Sequence, residues 1–172
     1  ILLERGSDVD NRSKKVEHFW ETGELDEKTN VSFGEGGAGT FSDGKLNTLV
    51  KDKLMRNRKV LEIFVEHGAP EEILYQQKPH IGTDVLKNVI VSMRKSILEY
   101  GGEVRFDSCM TDLDVRDGAL AGIWVNQTEY IVCETLVLAT GHSARDTFKM
   151  LFEKSCVPME PKPFSVGARI EH

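Results

Sequence analysis

The fold class is indicated first by the stretch TDVLKNVIVSMRKSILEYGGEVRF, which occupies residues 83–106. Apolar residues recur every three or four positions from Val85 to Leu98, and this spacing predicts an amphipathic helix. Thr83 is suited to cap this helix, and Gly101 and Gly102 are suited to end it. Apolar and polar residues then alternate, so a strand is expected to follow the helix directly.

The rest of the chain continues the alternation of strands and helices. Asp117-Gly118 stands between two apolar segments and is typical of a β-hairpin turn. The continuous apolar run Leu136–Ala139 is typical of a strand buried on both faces of a parallel sheet. A helix over 143–154 is expected to bury Phe148, Leu151 and Phe152. The other predicted elements are a helix around residues 9–20, a helix over 54–67, and strands over 1–4, 120–125, 130–132 and 164–170. This order predicts an α/β fold.

Composition excludes several functional classes. The 172 residues include 22 Lys and Arg against 28 Asp and Glu, which gives a formal net charge of −6 at pH 7. An acidic chain lacks a positive surface that would attract nucleic acids or anionic membranes, so neither is expected as a partner. No apolar run approaches the ~20 residues of a membrane-spanning helix, and no secretory signal is visible.

The three cysteines and the histidines show no pattern typical of a metal or hydrolytic site. Without a C-x-x-C spacing, the cysteines are expected to be reduced thiols in a cytoplasmic protein. No Ser-His-Asp order or helical histidine pair appears, so neither a bound metal nor a hydrolase is predicted.

The first residues predict that the sequence belongs to a longer protein. The chain begins Ile-Leu-Leu-Glu, a pattern typical of the second half of a buried strand. A natural N-terminus is usually a frayed surface segment. We therefore expect the sequence to be an internal piece that starts within a strand.

The most unusual segment is the glycine-rich stretch over 29–48. Gly34-Glu-Gly-Gly-Ala-Gly39 matches G-x-G-x-x-G, but the dinucleotide fingerprint also needs a buried strand before it and an apolar helix after it. Residues 30–33 and 41–44 supply neither. One interpretation is a flexible surface loop. The other is a loop that contacts a cofactor, because glycines let a backbone approach a ligand and successive N–H groups can hold an anion.

Two strand ends favour nucleotide binding. Glu4 is an acid at the end of a predicted strand, the place where dinucleotide folds bind the ribose hydroxyls of adenosine. A solvated surface charge is the alternative interpretation of Glu4. The run over 136–139 ends in Thr140-Gly141, small residues that let the chain pass close to a cofactor at the carboxyl edge of a parallel sheet.

Four segments together closely resemble the largely uncharacterised FAD-dependent dehydrogenases, which are flavoproteins with two dinucleotide folds like glutathione reductase. They are NVSFGEGGAGTFSDGKL at 30–46, GHSARD at 141–146, KPFSVG at 162–167 and RIEH at 169–172. The resemblance extends over essentially the whole chain. It implies an incomplete Rossmann-like FAD-binding domain over 1–155, with a helical insertion over 50–80 and a small antiparallel layer, and the start of a substrate domain at 156–172.

The same resemblance implies a function. Such proteins transfer hydride through bound FAD, with NADH or NADPH as a candidate electron donor and here an unidentified small-molecule substrate. Their strand with the true fingerprint would precede Ile1, so the 172-residue chain alone is expected to be colourless. The residues implied to contact FAD are Glu4 at the adenosine ribose, Arg5, Arg12 on the adenosine side, the loop residues Gly34, Gly36, Gly37, Ala38, Gly39, Thr40, Ser42, Asp43 and Lys45, Met110 at the adenine, Thr140 and Gly141 near the pyrophosphate, and His142.

Two other functions fit the same residues. The chain could form a nucleotide-binding or regulatory module without catalysis, whose bound flavin no donor reduces. It could also form a scaffold whose glycine loop contacts a protein partner and ignores nucleotides. Fold analogy cannot choose among these functions. The specific motif over 33–46 favours the flavoenzyme.

Overall fold

The structure is a computed structural model that describes residues 1–42, 44–46, 52–76, 78–154, 157–163 and 166–168. These residues form a mixed arrangement of helices and strands, with a small parallel sheet and a separate antiparallel sheet. The predicted α/β class is therefore confirmed. The chain divides into two compact units, Ile1–Met110 and Thr111–His172.

A short parallel sheet organises the first unit. Strand β1 (Leu2–Leu3) pairs with β2 (Val104–Arg105), and Leu2 lies opposite Val104. The pairing continues past β1, since the N–H of Glu4 donates to the carbonyl of Arg105 at 2.9 Å. Because parallel strands end at the same edge of a sheet, the residues after β1 and after β2 come together there.

Three helices lie between the two parallel strands in the sequence: α1 (Val9–Thr22), α2 (Arg56–Glu66) and α3 (Thr83–Glu99). The prediction of α3 is confirmed to within one residue, but the expected cap at Thr83 is wrong. Thr83 is already the first residue of the helix, so Gly82 occupies the N-cap position and no side chain caps the helix. The core of this unit packs α3 against neighbouring segments through the buried residues Ala69, Ile73, Ile81, Leu86 and Val89.

The second unit contains an antiparallel sheet and one helix. Its strands are β3 (Met110–Arg116), β4 (Ala119–Val125) and β5 (Glu129–Val132), in the order β3-β4-β5. Asp117 and Gly118 connect β3 to β4 with φ values of 51° and 78°, as a tight hairpin turn requires, and this prediction is confirmed. Helix α4 (Arg145–Glu153) follows.

Two predictions for the second unit are wrong. The run over 136–139 is not a strand, and the side chains of Val137 and Leu138 are 83% and 41% exposed. A strand needs a neighbour for its backbone groups, and no described segment pairs with this run. In α4, Leu151 is buried as predicted, but Phe148 and Phe152 lie outside the face that Thr147 and Leu151 bury and are exposed.

The predicted end of the chain is only partly described. Of the strand predicted over 164–170, residues 166–168 are described and belong to no strand, while the others lie outside the described residues. The predicted domain boundary at 155–156 also lies outside them and stays a prediction.

Candidate functional site

The candidate site begins at Glu4, the residue that follows β1. Its Oε1 atom accepts the N–H of Gly6 at 2.8 Å and the N–H of Gly34 at 2.9 Å. One carboxylate oxygen therefore joins the end of the strand to the start of the glycine motif. Within the part of the chain that the structure describes, Oε2 accepts no hydrogen bond, so a fixed carboxylate has one oxygen left for a ligand.

Buried hydroxyl groups fix the turn that follows Glu4. The N–H of Ser7 donates to Oγ1 of Thr29 at 3.1 Å, and Oγ of Ser7 donates to Oδ1 of Asp107 at 3.1 Å. The carbonyl of Ser7 also accepts the N–H of Glu35 at 3.1 Å. The exits of β1 and β2 and the glycine loop are thus joined at one edge of the parallel sheet.

Arg12 on α1 lies completely buried beside the glycine loop, with a side chain 0% exposed. Its guanidinium donates five hydrogen bonds to backbone carbonyls: Nε to Asn30 at 2.9 Å, Nη2 to Val31 at 3.1 Å, and Nη1 to Glu35 at 2.7 Å, Gly37 at 2.8 Å and Gly34 at 3.2 Å. Burial lowers the pKa of Arg12 to about 10, and the charge of Glu4 opposes this shift. The resemblance puts Arg12 near the adenosine; the hydrogen bonds of its guanidinium go to the loop itself.

Glu35 is a second buried charged residue in the site and was not predicted. Its Oε2 accepts the N–H of Val9 at 2.8 Å, and its Oε1 lies 3.3 Å from Nε of Arg94 on α3. Burial raises the pKa of the Glu35 carboxyl, while the Val9 N–H and the charge of Arg94 act in the opposite direction. The Asp8 carboxylate accepts the N–H groups of Asp10 and Asn11, so Glu35 and Asp8 together bind the free backbone N–H groups in the first turn of α1.

The remainder of the glycine motif turns back on itself. Ala38–Phe41 form a short 3-10 helix, and Oγ of Ser42 donates to the carbonyl of Gly39 at 3.1 Å. Thr40 is fully buried, and its Oγ1 has no hydrogen-bond partner among the described residues. A side chain at Gly36, whose φ is 86°, would overlap Oγ1 of Thr40. Residues 36–42 therefore form a compact turn, and their glycines allow its tight backbone path.

The structure brings part of the predicted set together. Glu4, Arg12, Gly34 and Gly37 lie in one hydrogen-bonded cluster of the first unit, and Gly36, in the same loop, packs against the side chain of Thr40; their contacts with a cofactor stay predictions. The guanidinium of Arg5 lies over the ring of Phe33, the backbone of Lys45 forms an isolated antiparallel β-bridge with His80, and Met110 begins β3. Thr140, Gly141 and His142 are exposed in the second unit, and Asp43 lies outside the described residues.

The described residues contain neither a metal-binding cluster nor a membrane-spanning helix. Among the described residues, no group of three or more His, Cys, Asp or Glu side chains is placed to hold a metal ion. None of the helices in the described ranges is long and apolar enough to cross a bilayer.

Comparison with known proteins gives a relative without a known function. No protein-family model matches the chain. The chain is 51% identical over 172 residues to an uncharacterised protein of Clostridium beijerinckii, and it spans 32% of that relative's length. A whole protein of the relative's size thus contains much more chain than the two units described above.

Proposed function

We propose that this chain is part of a FAD-dependent oxidoreductase and forms the adenosine side of its cofactor site. The observation that carries the proposal is the placement of Glu4 at the carboxyl end of β1, one hydrogen bond from Gly34. Dinucleotide folds bind ribose hydroxyls with an acid at such a strand end, and ligands lie at this edge of parallel sheets. Oε2 of Glu4 is suited to accept a ribose hydroxyl.

The adjoining glycine loop supports the same proposal. Gly36, Ala38 and Gly39 are exposed, so the loop offers backbone without large side chains next to Glu4. Such a backbone can approach a phosphate or a flavin ring closely. The proposal also includes a Rossmann-like sheet, a domain boundary near residue 155 and a cytoplasmic location for the protein.

Flavin chemistry determines which steps the cofactor would perform and which the protein would perform. Bound FAD would supply the hydride transfer, and the protein would bind and orient it. In this chain, Glu4 would hold the adenosine ribose and the loop over 34–45 would lie along the rest of the cofactor. The substrate would be a small molecule, and parts of the whole protein beyond these residues would bind it.

The test uses the complete gene product that carries this sequence. We expect it to bind FAD with a stoichiometry near one per chain and to show flavin absorbance after purification or reconstitution. Anaerobic addition of NADH or NADPH is expected to bleach this absorbance. The 172-residue chain alone is expected to be colourless.

Each alternative has its own outcome in this test. Flavin that binds but is reduced by no donor tested would favour a nucleotide-binding module without catalysis. A complete gene product without flavin, even after reconstitution, would remove the proposal and favour the scaffold interpretation.

A further inference from the structure

We infer that Arg12 is a positioning residue, which turns the peptide groups of the glycine loop so that the N–H groups of Gly36 and Ala38 face an anionic ligand. Arg12 itself would not touch the ligand. The part of this inference that concerns the loop stands on the geometry alone. Its consequence for affinity rests on the proposed function.

The carbonyl groups of the loop define how it is oriented. Five of them, from residues between 30 and 37, converge on one buried guanidinium. A guanidinium presents five N–H donors in a rigid plane, which suits several acceptors spread over one surface. A lysine at the same position would carry three donors on a single atom and could not reach acceptors so widely spread.

The orientation of the carbonyls fixes the opposite side of the loop. In a planar trans peptide, the C=O of one residue and the N–H of the next point in opposite directions. Since the carbonyls of Glu35 and Gly37 point at Arg12, the N–H groups of Gly36 and Ala38 point away from it.

These two N–H groups have no partner within the described part of the chain. Gly36 and Ala38 are also exposed. Unpaired N–H donors two residues apart in a glycine-rich loop are suited to bind an anion, for example a phosphate group.

The first experiment measures hydrogen exchange of backbone amides in the complete gene product without any ligand. The informative amides are those of Glu35 and Gly37, which donate to Ser7 and Gly34, and Val89 in the core of α3 reports on the overall fold. In Arg12→Ala and Arg12→Lys, we expect exchange at Glu35 and Gly37 to become at least about tenfold faster, because bonds to a charged donor are lost. Val89 is expected to stay protected.

Matched controls separate this role from a general loss of charge. Lys14→Ala removes one cation from the exposed side of the same helix and is expected to leave the loop amides unchanged. Millimolar guanidinium is expected to restore the protection of Glu35 and Gly37 in Arg12→Ala, whereas ammonium is not. If Arg12→Ala fails to fold, guanidinium is expected to restore folding as well.

Two results would overturn the role of Arg12 in the loop. One is loop protection in Arg12→Ala equal to that of the wild type. The other is a loss of protection or folding in Arg12→Ala that guanidinium does not reverse.

The second experiment tests the ligand in the complete gene product. We expect Arg12→Lys to raise the Kd for FAD by about tenfold or more, while the rate of reduction of the bound flavin at saturation changes little. An unchanged Kd would overturn the consequence for affinity. A wild type that binds no FAD would refute the proposed function and leave the exchange result to decide the role of Arg12.

Discussion

The backbones of Gly6 and Gly34 are in direct contact. A Cβ atom built on Gly6 would lie 2.7 Å from both the Cα and the N of Gly34, and 2.9 Å from the carbonyl oxygen of Lys28. Gly6 follows β1, and Gly34 opens the glycine motif. The end of the strand and the loop of the candidate site are therefore packed backbone against backbone, and only glycine fits between them.

This contact predicts a clear cost for a single methyl group. Because backbone atoms surround the site, Gly6→Ala is expected to destabilise the chain by about 1–3 kcal/mol, as overpacking usually does. Urea unfolding followed by the fluorescence of Trp20, in a Trp124→Phe background, measures the free energy of unfolding. Gly39→Ala is the matched control, because a Cβ there meets open space, and it is expected to change stability by less than about 0.5 kcal/mol. Equal stability of the two variants would contradict the contact.

The buried Glu35 carboxyl predicts a stability that depends on pH. Burial raises the pKa of Glu35 in the folded chain above its ordinary value of 4.5. The folded state therefore binds this proton at a higher pH than the unfolded state does, and Glu35 favours folding more as the pH falls from neutrality through the folded pKa. The difference in unfolding free energy between the wild type and Glu35→Gln is thus expected to shift in favour of the wild type as the pH falls.

Asp26 provides a control of opposite sign. Its hydrogen bond and ion pair with Lys15, at 2.8 Å, lower the pKa of Asp26 below 3.8. The stabilisation by Asp26 is complete above 3.8 and is lost as the pH falls through the lower folded pKa. The advantage of the wild type over Asp26→Asn is therefore expected to shrink in acid. A pH dependence of the same sign for both variants would show that the environment of Glu35 is described wrongly.

A prediction for the second unit concerns Tyr130 on β5. Its hydroxyl donates to Oδ2 of Asp114 on β3 at 2.8 Å, and this hydrogen bond raises the pKa of Tyr130 above 10.0. In Asp114→Ala, we expect the pKa of Tyr130 to fall back toward its ordinary value. A pH titration of the phenolate absorbance measures the shift, and Tyr130→Phe identifies the signal. An unchanged titration of Tyr130 in Asp114→Ala would mean that the two side chains do not meet in solution.

Local patterns predicted the regular elements well. The apolar spacing of 83–100 and the Asp117-Gly118 dipeptide each carry their own structure, because a helical face and a two-residue turn depend on neighbours in the sequence. The strand predicted over 136–139 is absent for the opposite reason. Its composition suits a buried strand, but a strand exists only where another segment supplies hydrogen bonds, and no local pattern shows that.

The candidate site was predicted in its position more than in its internal contacts. The glycine motif and Glu4 were identified from the sequence, and the structure joins them through Gly34. The burial of Arg12 was missed because charged residues are expected at the surface. A signal was present, since Val9, Arg12 and Val16 follow the three- and four-residue spacing of one helical face, and all three are buried.

The most direct test of this account is a titration of the complete gene product with FAD, for the wild type and for Glu4→Gln. FMN, which has no adenosine, is the control ligand. The account predicts that the wild type saturates at about one FAD per chain, and that Glu4→Gln weakens FAD by about tenfold, because a charge-assisted hydrogen bond to the ribose is lost, without weakening FMN to the same extent. A wild type that binds no FAD, or a Glu4→Gln variant that binds FAD as tightly as the wild type, would contradict it.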